Sequence, residues 1–366
     1  MAKKKENELV DEIKQTSKKK IETVAKKNLP FIPFGCTLID LVIGGGFPYG
    51  FVNIIGDSSS GKSFLAGECI AAAYHRYGKH KFDWFYDDAE GGYKFNAEKL
   101  YGFDIINEGF LPRKKRSNTI EDFERNIQYI IDNKDPKSKF IYVLDSFDSI
   151  TSDDEIKFKT KKLKGSPSGD EEGGDGKEKG SFGLSKQKES HSFFRSKIRE
   201  LEDNRIVLII ISQVKEKISV TFGKKLYRTG GKSLDFYPNV VFWLAEVEKY
   251  RKEERPIGIC SKVQATKSRN DKPFRECLID IVFDYGLDDV SSNINFLCDI
   301  KTDGNRDKKK ADSMLLSWDK KEFTRKNLIK YIEENNLEEE LATRVREKWN
   351  AIEESISSKG RKNKWK

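Results

Sequence analysis

The sequence predicts an α/β fold with a largely parallel central sheet and helices on both of its faces. Three observations predict it. Strand-like apolar runs alternate with helical patterns from residue 31 to about residue 300. Several runs, "FIYVLD" and "RIVLIIIS" among them, are almost continuously apolar, as strands buried on both faces are. A Gly/Ser-rich stretch joins the first long run to the first long helical pattern.

The elements follow in order. Residues 5–27 read as a polar helix whose apolar stripe is only Leu9, Ile13, Ile21 and Val24. Too thin to fold alone, it makes 1–30 a helical arm and a candidate subunit-docking segment. The core is expected over 31–302. Its runs are "FVNII", "FDWFY", "FIYVLD", "RIVLIIIS", "VVFWLAEV", "GICSKVQAT" and "ECLIDIVF". The first four alternate with helical stretches at 62–77, 119–132 and 188–202, which calls for parallel pairing. The last runs follow closely on one another, which calls for antiparallel pairing. Residues 161–183 carry Gly, Ser and charge with almost nothing to bury, so a disordered insertion is expected near 161–182. Residues 303–321 read as a linker. Residues 322–366 read as a small helical appendage with a basic tail, Thr324 being its N-cap candidate.

Composition bounds the function. The chain has 366 residues, 36 % apolar and 35 % charged, enough for one large domain with appendages. No apolar run approaches the roughly 20 residues that span a bilayer. The charged N-terminus has no signal core. A soluble, cytoplasmic protein without a membrane partner is expected. The five cysteines form no CxxC pair, and the three histidines join none of them at zinc spacing, which argues against disulfides and zinc. The net charge of +9 is compatible with nucleic acid without requiring it.

"GDSSSGKS" fits the phosphate-loop pattern G-x-x-x-x-G-K-[ST], between a strand and a helix as the motif requires. A Ser/Gly surface turn has the same composition; the placement favours a cradle. Gly56, Asp57, Ser58, Ser59, Ser60, Gly61, Lys62 and Ser63 would then curl backbone N–H groups round phosphate oxygens. Lys62 would reach the β/γ phosphates, and Ser63 would ligate Mg²⁺. Asp145, at the end of "FIYVLD", is the candidate second carboxylate for Mg²⁺, with Ser146 beside it. The acidic group in "FDWFYDDAEGGY" offers Glu90 as the candidate to activate water, with Asp87 and Asp88 as rivals. Gln213, at the tip of "IIISQV", is placed to sense the γ-phosphate.

In this order the pieces resemble the RecA-type recombinases. "CTLIDLVIGGGFPYGFVNIIGDSSSGKS" looks like the family's lead-in to its phosphate loop. "FYDDAEGGYKFNAEKLYGFD" is similar to its catalytic-glutamate segment, and this likeness selects Glu90. "ISQVKEKISVTFGKKLYRTGGKSLDFYPNVVFWL" resembles the switch glutamine, the second DNA-binding loop and the helix after it. "ATKSRNDKPFRECLIDIVFDYGLD" is also similar, and its Lys-Ser-Arg is closest to the UvsX-like phage recombinases. The likeness spans roughly 32–300.

The resemblance implies a RecA-type P-loop ATPase core and DNA-dependent hydrolysis of ATP with Mg²⁺. It implies helical filaments of many copies on single-stranded DNA and strand exchange with double-stranded DNA, in recombination and repair. A single-strand-binding protein and a loading mediator are further candidate partners, and a bacterial host cytoplasm is implied if the chain is phage-encoded. Lys62, Glu90 and Gln213 take catalytic roles. Lys267 and Arg269 match basic positions that reach the neighbouring subunit's phosphates, where a cation stabilises transition-state charge. The second DNA loop contributes Lys215, Lys217, Ile218, Phe222, Lys224, Lys225, Arg228, Thr229, Gly230 and Gly231, with Ile218 in the wedge position between bases. The first loop, within about 152–190, contributes Phe182 and Lys188, with Arg195 on the next helix. The acidic insertion and Lys94, at a position acidic in the cellular family, depart from the pattern. No separate C-terminal DNA-gateway domain is evident. A RecA-fold ring helicase or motor, and an ATP-binding scaffold or mediator without turnover, are the competing readings.

Overall fold

The computed structural model describes residues 31–112, 114–163, 178–216, 226–228, 233–300 and 314–357. The expected N-terminal arm lies outside them. Two short strands, β1 (Phe31–Ile32) and β2 (Phe47–Pro48), pair antiparallel around helix α1 (Thr37–Val42). The main sheet is built from β3 (Gly50–Gly56), β4 (Phe82–Asp87), β5 (Lys139–Leu144), β6 (Ile206–Glu216), β8 (Val240–Lys252), β9 (Arg255–Ser268), β10 (Arg275–Val282) and β11 (Gly286–Asp288). A further strand, β7 (Leu226–Arg228), pairs with the end of β6. The order across the sheet is β4-β5-β6-β3-β8-β9-β10-β11. From β4 to β8 every pairing is parallel, and from β8 to β11 every pairing is antiparallel. Both halves of the expected pairing are therefore present.

The continuous apolar runs have the expected cause. Successive residues point to opposite faces, and each face is covered. Ile141, Val143, Val207, Ile209 and Ile211 enter one core, with helix α2 (Lys62–Tyr77). Phe140, Tyr142, Leu144, Ile206, Leu208 and Ile210 enter the other, beneath α4 (Ile120–Asn133) and α6 (Glu178–Asp203). Helix α3 (Ala97–Tyr101) is a single short turn following β4. Phe194 of α6 stacks on Phe51 of β3 with ring centroids 4.6 Å apart.

Two expectations need correction. The segment near 161–182 is not loop throughout. Helix α5 (Asp153–Leu163) runs into it, and α6 begins at Glu178. Only 164–177 fall outside the described residues. Burial of Phe193, Phe194 and Leu201 anchors α6 to the sheet. Extending an anchored helix needs no new nucleus, so it runs through Gly180 and Gly183.

The second correction concerns 303–321. Residues 301–313 lie outside the described set, but β12 (Leu316–Trp318) pairs with β13 (Lys321–Phe323) as a hairpin. It leads into α9 (Arg325–Glu334) and α10 (Glu338–Ser355), and the Thr324 hydroxyl accepts from Asn327 N, the expected cap. Leu316, Trp318, Leu328, Ile332, Leu341 and Val345 join the same core as the sheet. Helix α10 packs on α8 (Asp289–Leu297) and α1, and Glu353 bonds Lys272 and Arg275. The C-terminal helices are continuous with the core. Among the described residues no helix is long and apolar enough to cross a membrane.

Candidate functional site

Register brings the candidate residues to one edge. Gly56 at the end of β3 lies opposite Gln213 on β6. Leu144, just before Asp145, lies opposite Asp87 on β4. All four parallel strands β3 to β6 therefore end on the same side, where open α/β sheets bind ligands.

The phosphate loop leaves β3 and turns into α2. Gly61 has φ +94°, a left-handed conformation, and a Cβ there would sit 2.8 Å from Ile281 Cδ1. A Cβ on Gly56 would lie 2.6 Å from the Leu244 carbonyl. Both positions need glycine. Ser60 Oγ donates to Asp57 O at 2.9 Å, and Ser261 Oγ donates to Ser60 O at 2.9 Å, so the loop is braced from β9. Lys62 is only 8 % exposed, and its Nζ donates to Asp57 O at 2.5 Å. Burial lowers its pKa from the ordinary lysine value, opposed by the charges of Asp145, Asp57, Glu90 and Asp148.

Asp145 is buried beside this loop. Burial pushes its carboxyl above the usual range, opposed by hydrogen bonds from Ser63 and Tyr86 and reinforced by the charges of Glu90 and Asp88. Tyr86 Oη donates to Asp145 Oδ2 at 2.7 Å. A hydroxyl and a carboxylate side by side are hard oxygen donors, the kind Mg²⁺ takes. The glycine cradle, the buried ammonium and this donor pair together fit a Mg²⁺-bound nucleoside triphosphate.

The three acidic candidates separate by their surroundings. Asp87 accepts Ser117 N at 2.8 Å, Ser117 Oγ at 2.5 Å and Tyr142 Oη at 2.7 Å. Its carboxylate is occupied in tying the loop at Ser117 to strands β4 and β5. Asp88 accepts from Gly92 N at 3.0 Å and Tyr93 N at 3.3 Å, a turn-closing role. Glu90 is exposed, its N–H bonds Asp145 O at 3.0 Å, and its Oε2 lies 3.4 Å from Gln213 Nε2. Of the three, only Glu90 faces the cradle edge beside the glutamine.

Lys267 and Arg269 lie elsewhere. Lys267 pairs opposite Val241, and Arg269 N bonds Asn239 O. Since Gly56 is level with Leu244 and Val52 with Val240, and Asn239 lies one residue further, Arg269 sits about 17 Å down the strands, five residues at about 3.3 Å each. Lys267 Nζ donates to Asp235 O at 3.0 Å and Phe236 O at 2.6 Å. Arg269 donates to Asn239 Oδ1 and Phe236 O, both at 3.2 Å. Together they cap the last turn of α7 (Ser233–Phe236). Within one chain they do not join the phosphate loop.

Of the candidate DNA contacts, Lys217, Ile218, Phe222, Lys224, Lys225, Thr229, Gly230 and Gly231 lie outside the described residues. Lys215 and Arg228 belong to the paired strands β6 and β7, so these two candidate loop residues lie on strands. Phe182 and Lys188 fall within α6, their side chains outside the described set, and Arg195 is exposed on the same helix.

Sequence reasoning missed several supporting groups. Arg116 donates to Ala89 O from Nε at 3.2 Å and from a terminal nitrogen at 2.8 Å, holding the Glu90 loop. Buried Asn53 bridges β3 to Ile210 O and Ser212 Oγ, both at 2.9 Å. Tyr86 had a signal, a polar-tipped ring in the aromatic run Trp84–Tyr86. Arg116 had none, because its partner is distant in sequence.

A family description, the RecA N-terminal domain, matches residues 172–288. Protein RecA of Clostridioides difficile is 27 % identical over 343 residues, covering 93 % of this chain and 89 % of the relative. That alignment is longer than residues 32–300, so the likeness extends beyond that range. Protein RecA of Malacoplasma penetrans is 28 % identical over 307 residues, 83 % of each chain. Protein RecA of Bacteroides thetaiotaomicron is 30 % identical over 259 residues, covering 70 % of this chain and 69 % of the relative. With this identity and coverage on top of the fold and the nucleotide edge, the chain belongs to the RecA family.

Proposed function

We propose that this protein is a DNA recombinase that binds ATP with Mg²⁺, assembles as a filament on single-stranded DNA and exchanges strands with a homologous duplex. The observation that carries the reading is the division of its polar groups. Lys62, Ser63, Asp145, Glu90 and Gln213 gather at one edge of the sheet, and Lys267 and Arg269 stand at the other. A head-to-tail contact between copies joins the two sets, and repeating it builds a filament.

The chain's residues then divide the work. The loop N–H groups and Lys62 hold the phosphates. Ser63 and Asp145 would hold Mg²⁺, which supplies charge neutralisation on the phosphate oxygens. Glu90 accepts the proton of the attacking water at its carboxylate, and Gln213 beside it orients that carboxylate and reports occupancy to the β6–β7 hairpin. Lys267 and Arg269 of the next copy stabilise transition-state charge. The basic side chains of the two loops neutralise DNA phosphates. A single-strand-binding protein and a loading mediator are candidate partners of the assembly.

The test is steady-state phosphate release with and without single-stranded DNA, paired with strand exchange between a circular single strand and a linear duplex. DNA-stimulated release with exchange supports the reading. Release without exchange, by rings that form in the absence of DNA, points to a motor, and nucleotide binding without release points to a scaffold.

A further inference from the structure

The short turn immediately after Asp145, the 3₁₀ segment Phe147–Ser149, receives a contact from each of the two chain segments that lead into the candidate DNA loops. From the first, Lys186 on α6 donates through Nζ to Phe147 O at 2.7 Å and Ile150 O at 2.5 Å. The same ammonium lies 4.4 Å over the Phe147 ring. From the second, the backbone N–H of Gln213 donates to Asp148 Oδ2 at 2.8 Å. Phe147 and Ile150 are buried, so the turn is fixed in the core while its polar groups face the two segments.

These contacts close a circuit. Asp145 leads into the turn, Asp148 of the turn holds Gln213, and Gln213 meets Glu90. Glu90 N returns to the Asp145 carbonyl at 3.0 Å. Charge-assisted bonds to backbone groups are short and directional, so a displacement at one member moves the next. We propose that Asp148 and Lys186 are positioning residues that couple nucleotide occupancy to DNA affinity, Asp148 by holding the root of the second loop and Lys186 by holding the base of the first. Neither touches the phosphate cradle in the hydrogen bonds described. The Asp148 charge also reaches Lys62 through space, but the contacts described are with the two loop segments, so the effect proposed is on the coupling between the sites.

The inference rests on the proposed nucleotide- and DNA-binding function, and one experiment distinguishes failure of either. Affinity for a labelled single-stranded oligonucleotide is measured with and without a non-hydrolysable ATP analogue and Mg²⁺. Affinity for the analogue is measured with and without the oligonucleotide. The two ratios must agree, because coupling is reciprocal, and wild type is expected to show about 5- to 150-fold. Asp148→Ala and Lys186→Met are expected to bring both ratios within about twofold of one, with DNA-free analogue affinity within about twofold of wild type. Asp148→Asn and Lys186→Arg, which keep an acceptor and a cation, are expected to retain most of the coupling. Wild-type ratios in Asp148→Ala and Lys186→Met would overturn the inference. Loss of DNA-free analogue affinity in those variants would also overturn it, reducing the turn to structural support. A ratio of one in the wild type would instead overturn the functional reading itself.

Discussion

The two edges of the central sheet hold their charged groups differently. At the edge where β3 to β6 end, carboxylates and an ammonium lie close together, partly buried, and are held by the loops that carry them. At the opposite edge, Lys267 and Arg269 rest on the carbonyls at the end of α7, which are neutral acceptors. The first edge is arranged to receive a charged ligand by itself. The second holds its cations against the carbonyls that end a short helix, away from the phosphate loop. The contrast teaches that the candidate cations do not meet the phosphate loop within one chain, which is why the proposed function places turnover in the assembly.

The largest effect is expected at the first edge. Lys62→Ala removes the buried ammonium from the cradle. Truncating a buried, hydrogen-bonded charge costs about 2–5 kcal/mol, so nucleotide affinity should fall at least about 30-fold. Equilibrium binding measures it, and circular dichroism checks that the fold is kept. Normal affinity would remove the phosphate cradle from the account.

The same edge distinguishes its carboxylates. Glu90→Gln should leave nucleotide affinity intact and slow hydrolysis at least ~100-fold, the low end of general-base catalysis. Asp87→Asn should act on stability instead, since three donors converge on that buried carboxylate. Its thermal unfolding should shift by about 1–3 kcal/mol. If Asp87→Asn abolishes turnover in a folded protein while Glu90→Gln turns over normally, the roles are reversed.

The second edge should respond more gently. Asn239 holds Arg269 through Oδ1 and also donates to Tyr49 O at 3.0 Å and Glu202 Oε1 at 3.2 Å. Asn239→Ala should lower stability by about 1–3 kcal/mol, the cost of leaving buried partners unmade, and reduce DNA-stimulated hydrolysis only severalfold. A loss as deep as that of Glu90→Gln would mean that the two edges are not separable.

Much of the first edge was legible in the sequence. The strand, the Gly-rich turn and the helix are contiguous, so the 62–77 helix is read where the structure has it. Apolar continuity marked the strands, because each is covered on both faces. Sheet order was not legible: β6 lies between β3 and β5, a long-range choice that no local pattern encodes. The β12–β13 hairpin was missed for a local reason. Its two turn residues, Asp319 and Lys320, both adopt positive φ, where glycine or asparagine is the usual signal. At the site, spacing could not separate Glu90 from Asp87 and Asp88. Their difference lies in Ser117 and Tyr142, about 30 and 55 residues from Asp87. The contacts of Lys186 and Gln213 with the turn after Asp145 were invisible for the same reason.

The claim that turnover needs a neighbour is tested most directly by mixing two inactive proteins. Arg269→Ala keeps Glu90 but withholds its cation from the next copy, and Glu90→Gln keeps Arg269 but cannot activate water. Each alone should hydrolyse ATP poorly on single-stranded DNA. In a random one-to-one filament, roughly one quarter of the head-to-tail interfaces pair an intact Glu90 with an intact Arg269. Phosphate release by the mixture should therefore recover to about a quarter of the wild-type rate. If the mixture stays as inactive as its components while both still assemble on DNA, Arg269 serves its own chain or serves no catalytic role, and the account of a site divided between neighbours is wrong.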